Sequence, residues 1–437
     1  MLEPLGPDAS REASSRLYDE ARKLGLLADD EIQALFSLLL RDFDQDYFRI
    51  VKERVEKAKR AYFLSPRPMQ RYLPTKAEAR GEIVLGTTIG QGYEYGISPN
   101  ERHHLLLGST GYGKSYITRT ILKAQLQAGK HCVIFSKKRD ARSLATRFPD
   151  RVVLFRLADR DFKYNPKQGS PGISLIQANT DMCESFCQAM ALLLGSSSYI
   201  QTALAELDAK LGTDKDRSRQ ASFFELHEWI TRKRPRGSRE AQFQDSTLNR
   251  LEGLLSALGP VFACSQGFPI EQALNDGYSL IFEIDGIKEE AALFLTTSIT
   301  LRLFTWMLHS DTTKPEGLTV SLDDAAELFN VNMERQWMEG LPIMSLMAAR
   351  FRVAGLIIAS IQTPRLTSTM LRQNCATKIM VNHDDYEEAL SSSRSIGLPD
   401  AHAGELTRLR VGEAICFKPS YPYPVKVAVT VDPEIEE

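Results

Sequence analysis

The segment LLLGSTGYGKSY sets Gly108, Gly113, Lys114 and Ser115 at the spacing G-x-x-x-x-G-K-[ST]. It follows the apolar run HHLLL and precedes TRTILKAQLQAG, whose composition suits a helix. Each part has a job in phosphate chemistry. Glycines let the backbone curl around phosphate oxygens, and a helix N-terminus adds exposed N–H groups. Lys114 would neutralise the β- and γ-phosphates, and the Ser115 hydroxyl would ligate Mg²⁺. The expected nucleotide cradle is therefore Gly108, Ser109, Thr110, Gly111, Tyr112, Gly113, Lys114, Ser115 and Tyr116, with ATP and Mg²⁺ as its ligands.

Such a loop also needs a carboxylate at the end of another strand to hold Mg²⁺ through its water shell. Two segments compete: SLIFEID, with Glu283 and Asp285, and LTVSLDD, with Asp323 and Asp324. Only the second sets two adjacent acids directly after the apolar run, one helix-length before the next strand, GLIIASIQ. That favours Asp323 as the magnesium acid and Asp324 as the acid that orients the attacking water, with the earlier pair as the alternative. Gln362 closes the following strand. Its amide both donates and accepts, so it suits a γ-phosphate sensor; an ordinary polar strand end has the same sequence.

The elements that must position these residues read as an α/β fold. HHLLLGS, HCVIFS, RVVLFRL, GYSLIFEID, GLTVSLDD, GLIIASIQ and TKIMVN are apolar runs separated by helical stretches and short connections, the rhythm of a parallel sheet. GEIVLGTTIGQGYEYGIS reads as a short hairpin. The chain divides on this reading into a helical module (1–75), a first part of the nucleotide-binding domain (76–174), a helical insertion (175–270) and a second part (271–437). SPRPMQRYLPTKAEARG is expected as a linker and RKRPRGSRE as a solvated loop.

Composition bounds the rest. At 437 residues, 43% hydrophobic and 25% charged, the chain is long enough for two or three domains of ordinary globular character. A net charge of −2 excludes a generally basic surface, so any nucleic-acid contact must be local. LFSLLL and GLIIASI have the length of core elements, and the first residues lack a secretion signal, so no membrane span and a cytoplasmic location are expected. The six cysteines show no metal-ligand spacing and are expected as reduced core thiols.

GISPNERHHLLLGSTGYGKS, LTVSLDDAAELF, FRVAGLIIASIQTP and RLRVGEAICFKPS, in that order, resemble the HerA and FtsK group of P-loop ATPases, including the coupling ATPases of conjugative type IV secretion. FKYNPKQG resembles the Asn-Pro segment of the coupling proteins. The resemblance implies a RecA-like core, a homohexameric ring, and ATP-driven translocation or remodelling of DNA. It also implies an arginine acting in trans just before the Gln-bearing strand, for which Arg350 and Arg352 are candidates and Arg352 the better match. A nuclease, relaxase or secretion component docking on the N-terminal helices would complete such a machine.

Three features depart from the family pattern. Asp324 stands where Glu is expected, one methylene shorter. Ser136-Lys137-Lys138-Arg139-Asp140 replaces the common Asp-Pro-Lys-Gly-Asp, and its cations read either as channel-lining phosphate contacts or as a solvated loop. Soluble helices are expected where many conjugative coupling proteins have a membrane-spanning N-terminus. A short acid can slow hydrolysis, so a nucleotide-gated scaffold with weak turnover is the rival to a motor. A small-molecule kinase is the weaker third reading.

Overall fold

A computed structural model describes all residues except 1–6, 24–25, 29, 65–72, 100, 102, 193, 218–219, 331–342 and 431–437. By internal contacts the chain forms two compact units. The first takes in residues up to Ser98, Gly108–Tyr112 and Thr377–Thr430; the second takes in Pro99–Leu107 and Gly113–Ala376.

The first unit begins with helices Pro7–Lys23, Asp30–Arg41 and Gln45–Leu64. Their apolar stripes bury Leu17, Ala21, Ile32, Phe36, Leu39, Val51 and Val55 in one cluster. Part of the expected linker is structured: Thr75 and Glu78 form a capping box over the short helix Lys76–Ala79. The expected hairpin is present as antiparallel β1 (Ile83–Thr88) and β2 (Glu94–Ile97). β9 (Thr377–Met380), β10 (Glu413–Lys418) and β11 (Tyr421–Val429) complete an antiparallel sheet in the order β2-β1-β11-β10-β9. The buried Lys418 ammonium donates to the carbonyls of Ala79, Arg80 and Gly96 at 2.8–3.0 Å, which ties β10 to the segment before β1 and to β2.

The second unit holds six parallel strands: β3 (His104–Leu107), β4 (His131–Ser136), β5 (Val152–Arg156), β6 (Ser279–Glu283), β7 (Leu318–Leu322) and β8 (Gly355–Ile361). Their order is β3-β8-β7-β4-β6-β5. β3, β6 and β7 are buried at every position, the mark of strands covered on both faces. The helix Glu289–His309 is long and apolar enough to span a bilayer, which the sequence reading missed because threonines and Arg302 interrupt its apolar run. Its most apolar window is 89% buried inside the protein, so it serves here as a core helix.

Between β5 and β6, helices Leu175–Ala189, Leu194–Leu211, Phe223–Arg232 and Ser238–Phe262 follow one another with no strand among the described residues. The Asn-Pro segment anchors them. Asn165 donates its amide to the carbonyls of Ala221 (3.1 Å) and Ser265 (2.8 Å) and accepts from the Lys167 N–H. Lys167 pairs with buried Asp208, and Arg302 forks onto buried Glu271 at 2.6 Å through two nitrogens. Removing one partner from such a pair strands a buried charge, at a cost of about 3–5 kcal/mol. Of RKRPRGSRE, expected as a loop, residues 233–237 form one and the ends belong to the flanking helices; the stretch is largely exposed, with Lys233 turned back onto Glu206 at 2.7 Å. Five cysteines are buried as thiols, and Cys264 is a half-buried thiol.

Candidate functional site

The carboxyl ends of parallel strands gather polar residues at one edge of a sheet, where α/β proteins place their ligands. β3 ends at Leu107 and leads into the glycine-rich loop. Gly108, Gly111 and Gly113 have φ of 136°, 89° and 95°, a region that side chains with a Cβ disfavour. Gly113 starts the helix Lys114–Gln127 with no side-chain cap. Space is open where a Cβ would stand at Gly111 and Gly113. An uncapped helix start, left-handed glycines and a buried lysine fit a bound phosphate chain.

Within the first unit, the loop's opening residues lie against the segment after β9. Ser109 N–H donates to Asn382 O (2.8 Å), Ser109 Oγ accepts from Asp384 N–H (2.9 Å), and Tyr112 Oη donates to Asp384 Oδ1 (3.3 Å). The Asp384 charge raises the Tyr112 hydroxyl pKa. Thr110 and Gly111 are exposed; Ser115 and Tyr116 are half-buried.

Within the second unit, β7 delivers the acidic pair. Asp323 N–H donates to Phe135 O (3.2 Å) at the end of β4, and Ala325 N–H donates to Ser360 O (2.8 Å) on β8. The turn is thus pinned to both neighbouring strands. Burial pushes the Asp323 carboxyl above the ordinary range; Lys138 and Lys114 oppose the rise, while Asp324 and Asp140 add to it.

Asp324 has φ of 52°, in the left-handed region that Asp tolerates better than Glu. The missing methylene therefore has a backbone reason. Its carboxylate accepts from Lys137 Nζ at 3.2 Å, and the same ammonium lies 3.8 Å from Glu289 Oε1. Lys137, Glu289, Asp323, Asp324 and Glu327 line one cleft. Burial, and then a shared hydrogen bond with Glu289, raises the Glu327 carboxyl pKa. Lys137, which the sequence offered as a channel or solvent residue, instead holds the second acid of the pair.

The competing acids on β6 are occupied. Arg142 forks onto buried Glu283 through two 2.6 Å hydrogen bonds, and Arg139 Nε reaches Asp285 at 3.3 Å. Among the described residues Asp323 forms no ion pair. Gln362 is half-buried directly after β8, whose Ile361 pairs with Leu107.

Arg350 and Arg352 are exposed and lie just before β8. Arg352 lines a shallow pocket with Lys130, Leu318 and Gly355 at the strands' amino ends. The seven residues of β8, at about 3.3 Å each, set it roughly 23 Å from the strand's carboxyl end. Lys114, Asp323 and Gln362 sit at carboxyl-end positions, and the arginines do not join them in this chain. The sequence reading missed Arg142, Glu289 and Glu327, each at a position with no motif to flag it.

Residues 83–303 match the family described as the central domain of helicase HerA. The fold is similar to VirB4 of Thermoanaerobacter pseudethanolicus, with a TM-score of 0.64 at 14% identity over 80% of this chain and 96% of that one. It is also similar to the bacterial conjugative coupling protein TrwBdeltaN70, with a TM-score of 0.60 at 16% identity over 82% and 90% of the two chains. The plasmid coupling protein TrwB in complex with the non-hydrolysable ATP analogue ADPNP gives 0.58 at 17% identity, over 82% and 92%. Comparison with curated proteins returns no match. The shared architecture is the RecA-like P-loop fold.

Proposed function

This chain belongs to the HerA central-domain family, and on that premise we propose that it is an ATP-hydrolysing ring motor that translocates or remodels DNA. The observation that carries the reading is the family match over residues 83–303 of a chain whose second unit holds a buried Lys114 at a helix start and, after β7, an Asp323 that forms no ion pair among the described residues. ATP with Mg²⁺, when bound, supplies the phosphoanhydride to be broken and the cation that offsets its charge. The loop Gly108–Tyr116 cradles the phosphates, and Lys114 neutralises the outer two. Ser115 and Asp323 hold the metal, Asp324 orients water, and Gln362 senses the γ-phosphate.

Arg352 acts in trans in this reading, which its place at the far end of β8 supports. An arginine that cannot serve its own site suits a homohexamer in which each subunit completes its neighbour. DNA contacts fall on channel loops, since the chain as a whole is near neutral. The helices within residues 1–75 are the docking module for a nuclease, relaxase or secretion component, and the assembly works in the cytoplasm. Deleting residues 1–75 with no loss of partner binding would exclude that role.

The Lys137–Asp324 pair favours a second reading, a nucleotide-gated scaffold with little turnover. ATP turnover with and without single- and double-stranded DNA, alongside particle mass in solution, separates the two. A motor forms a ring whose turnover rises with DNA and vanishes in Lys114→Ala. A scaffold binds ATP and changes assembly without sustained turnover.

A further inference from the structure

We propose that Lys137 is a latch on Asp324: it holds the water-orienting acid in an ion pair, and hydrolysis waits until the ammonium moves across to Glu289. The inference rests on the ATPase reading and names how that site is restrained. Asp324 Oδ2 accepts from Lys137 Nζ at 3.2 Å, and Glu289 Oε1 stands 3.8 Å from the same nitrogen. One cation therefore has two carboxylates within reach, and only one of them belongs to the proposed reaction.

A carboxylate oxygen that already accepts from an ammonium has fewer lone pairs left to orient a water. The pair is built to let go. Both side chains keep about 30% of their exposure, so water competes with the contact and the bond is modest. Compare Arg142 on Glu283, where a forked guanidinium meets a carboxylate that is only 7% exposed. A lysine, a single point charge on a flexible stem, can swing between acceptors where a forked arginine is committed to one.

The surroundings favour release toward Glu289. Glu289 starts the core helix Glu289–His309, and its side chain is 69% exposed, so it can follow the cation outward. It also shares a hydrogen bond with Glu327, and Lys137 tempers the charge of that couple. Moving the ammonium toward Glu289 would relieve the crowding of those two carboxyl groups while freeing Asp324. Asp324 itself is fixed by the β7 turn and its left-handed backbone, so the lysine is the part that moves.

Lys137 is a positioning residue, and its test must separate that role from direct phosphate contact and from folding. Steady-state ATP turnover of the full chain is measured for wild type, Lys114→Ala, Lys137→Met, Lys137→Arg, Glu289→Gln, Asp324→Asn and Lys137→Met combined with Asp324→Asn. The latch predicts that Lys137→Met raises kcat about fivefold with KM for ATP within twofold of wild type. Lys137→Arg keeps the charge but commits it to one carboxylate, so it should lower kcat about threefold. Glu289→Gln, at an exposed position, removes the receiving group and should lower kcat about threefold. In the Asp324→Asn background Lys137→Met should add nothing, since no carboxylate remains to release.

A fall in kcat for Lys137→Met, with turnover still dependent on Lys114, would make the lysine a phosphate contact and overturn the latch. An equal gain in the Asp324→Asn background would overturn it too. Wild-type turnover no higher than that of Lys114→Ala would instead remove the ATPase reading, and the latch with it.

Discussion

Strands β6 and β7 end alike in sequence and differently in space. Both are wholly buried runs of five residues with acids at their ends: Glu283 closes β6 with Asp285 two residues on, and Asp323 and Asp324 follow β7. On β6 each acid meets an arginine, and the forked Arg142–Glu283 pair uses both oxygens of a buried carboxylate. On β7 the first acid has no ion pair among the described residues and the second is held by a half-exposed lysine. Burial without a committed partner is costly, and proteins keep such groups where they have work to do. A strand ending in acids is thus structural or chemical according to what the neighbouring loop offers it. Here the loop after β4 decides both cases, because Arg139 and Arg142 turn to β6 while Lys137 turns to β7.

The difference can be broken residue by residue. Asp324→Asn keeps a side chain that tolerates a left-handed backbone and removes only the charge; turnover should fall about a hundredfold, measured with the fold checked by circular dichroism. Asp324→Glu restores the residue expected at this position in the family but strains the backbone at φ 52°. We expect turnover to fall three- to tenfold; a rise would show that acid length, and not the turn, limits the site.

The β6 acids should answer in stability instead. Glu283→Gln loses one of the two charge-assisted bonds to Arg142 and should lower the thermal midpoint by roughly 2–4 °C, measured by differential scanning fluorimetry. Arg139→Ala removes an exposed single contact and should move the midpoint by less than about 1 °C.

Much of the second unit was legible because a parallel sheet demands short, wholly apolar strands, and HLLL, HCVIFS, SLIFE, LTVSL and GLIIASI are such runs. The phosphate loop was legible because its glycines need positive φ and its lysine and serine need fixed spacing. The hairpin of β10 and β11 was not, since Pro422 and Pro424 argue against a strand. Both fall in the part of β11 that β1 leaves unpaired, as that pairing covers only Val427 to Val429. The core helix Glu289–His309 was equally hidden: buried nearly all round, it has no polar face to give it a period. Most opaque was the fate of the acids. Lys137 and Asp324 are 187 residues apart, and nothing in either segment announces the other. Sequence could find the two acidic strand ends, but only tertiary contact could tell them apart.

The most direct test sets Asp323→Asn beside Glu283→Gln and measures ATP turnover of each against wild type at saturating ATP and Mg²⁺. Asp323→Asn should lose at least about a hundredfold, since it removes the half-buried acid at this edge that forms no ion pair among the described residues, while Glu283→Gln should stay within about threefold. Turnover that survives in Asp323→Asn and collapses in Glu283→Gln would contradict the account and move the chemistry to β6.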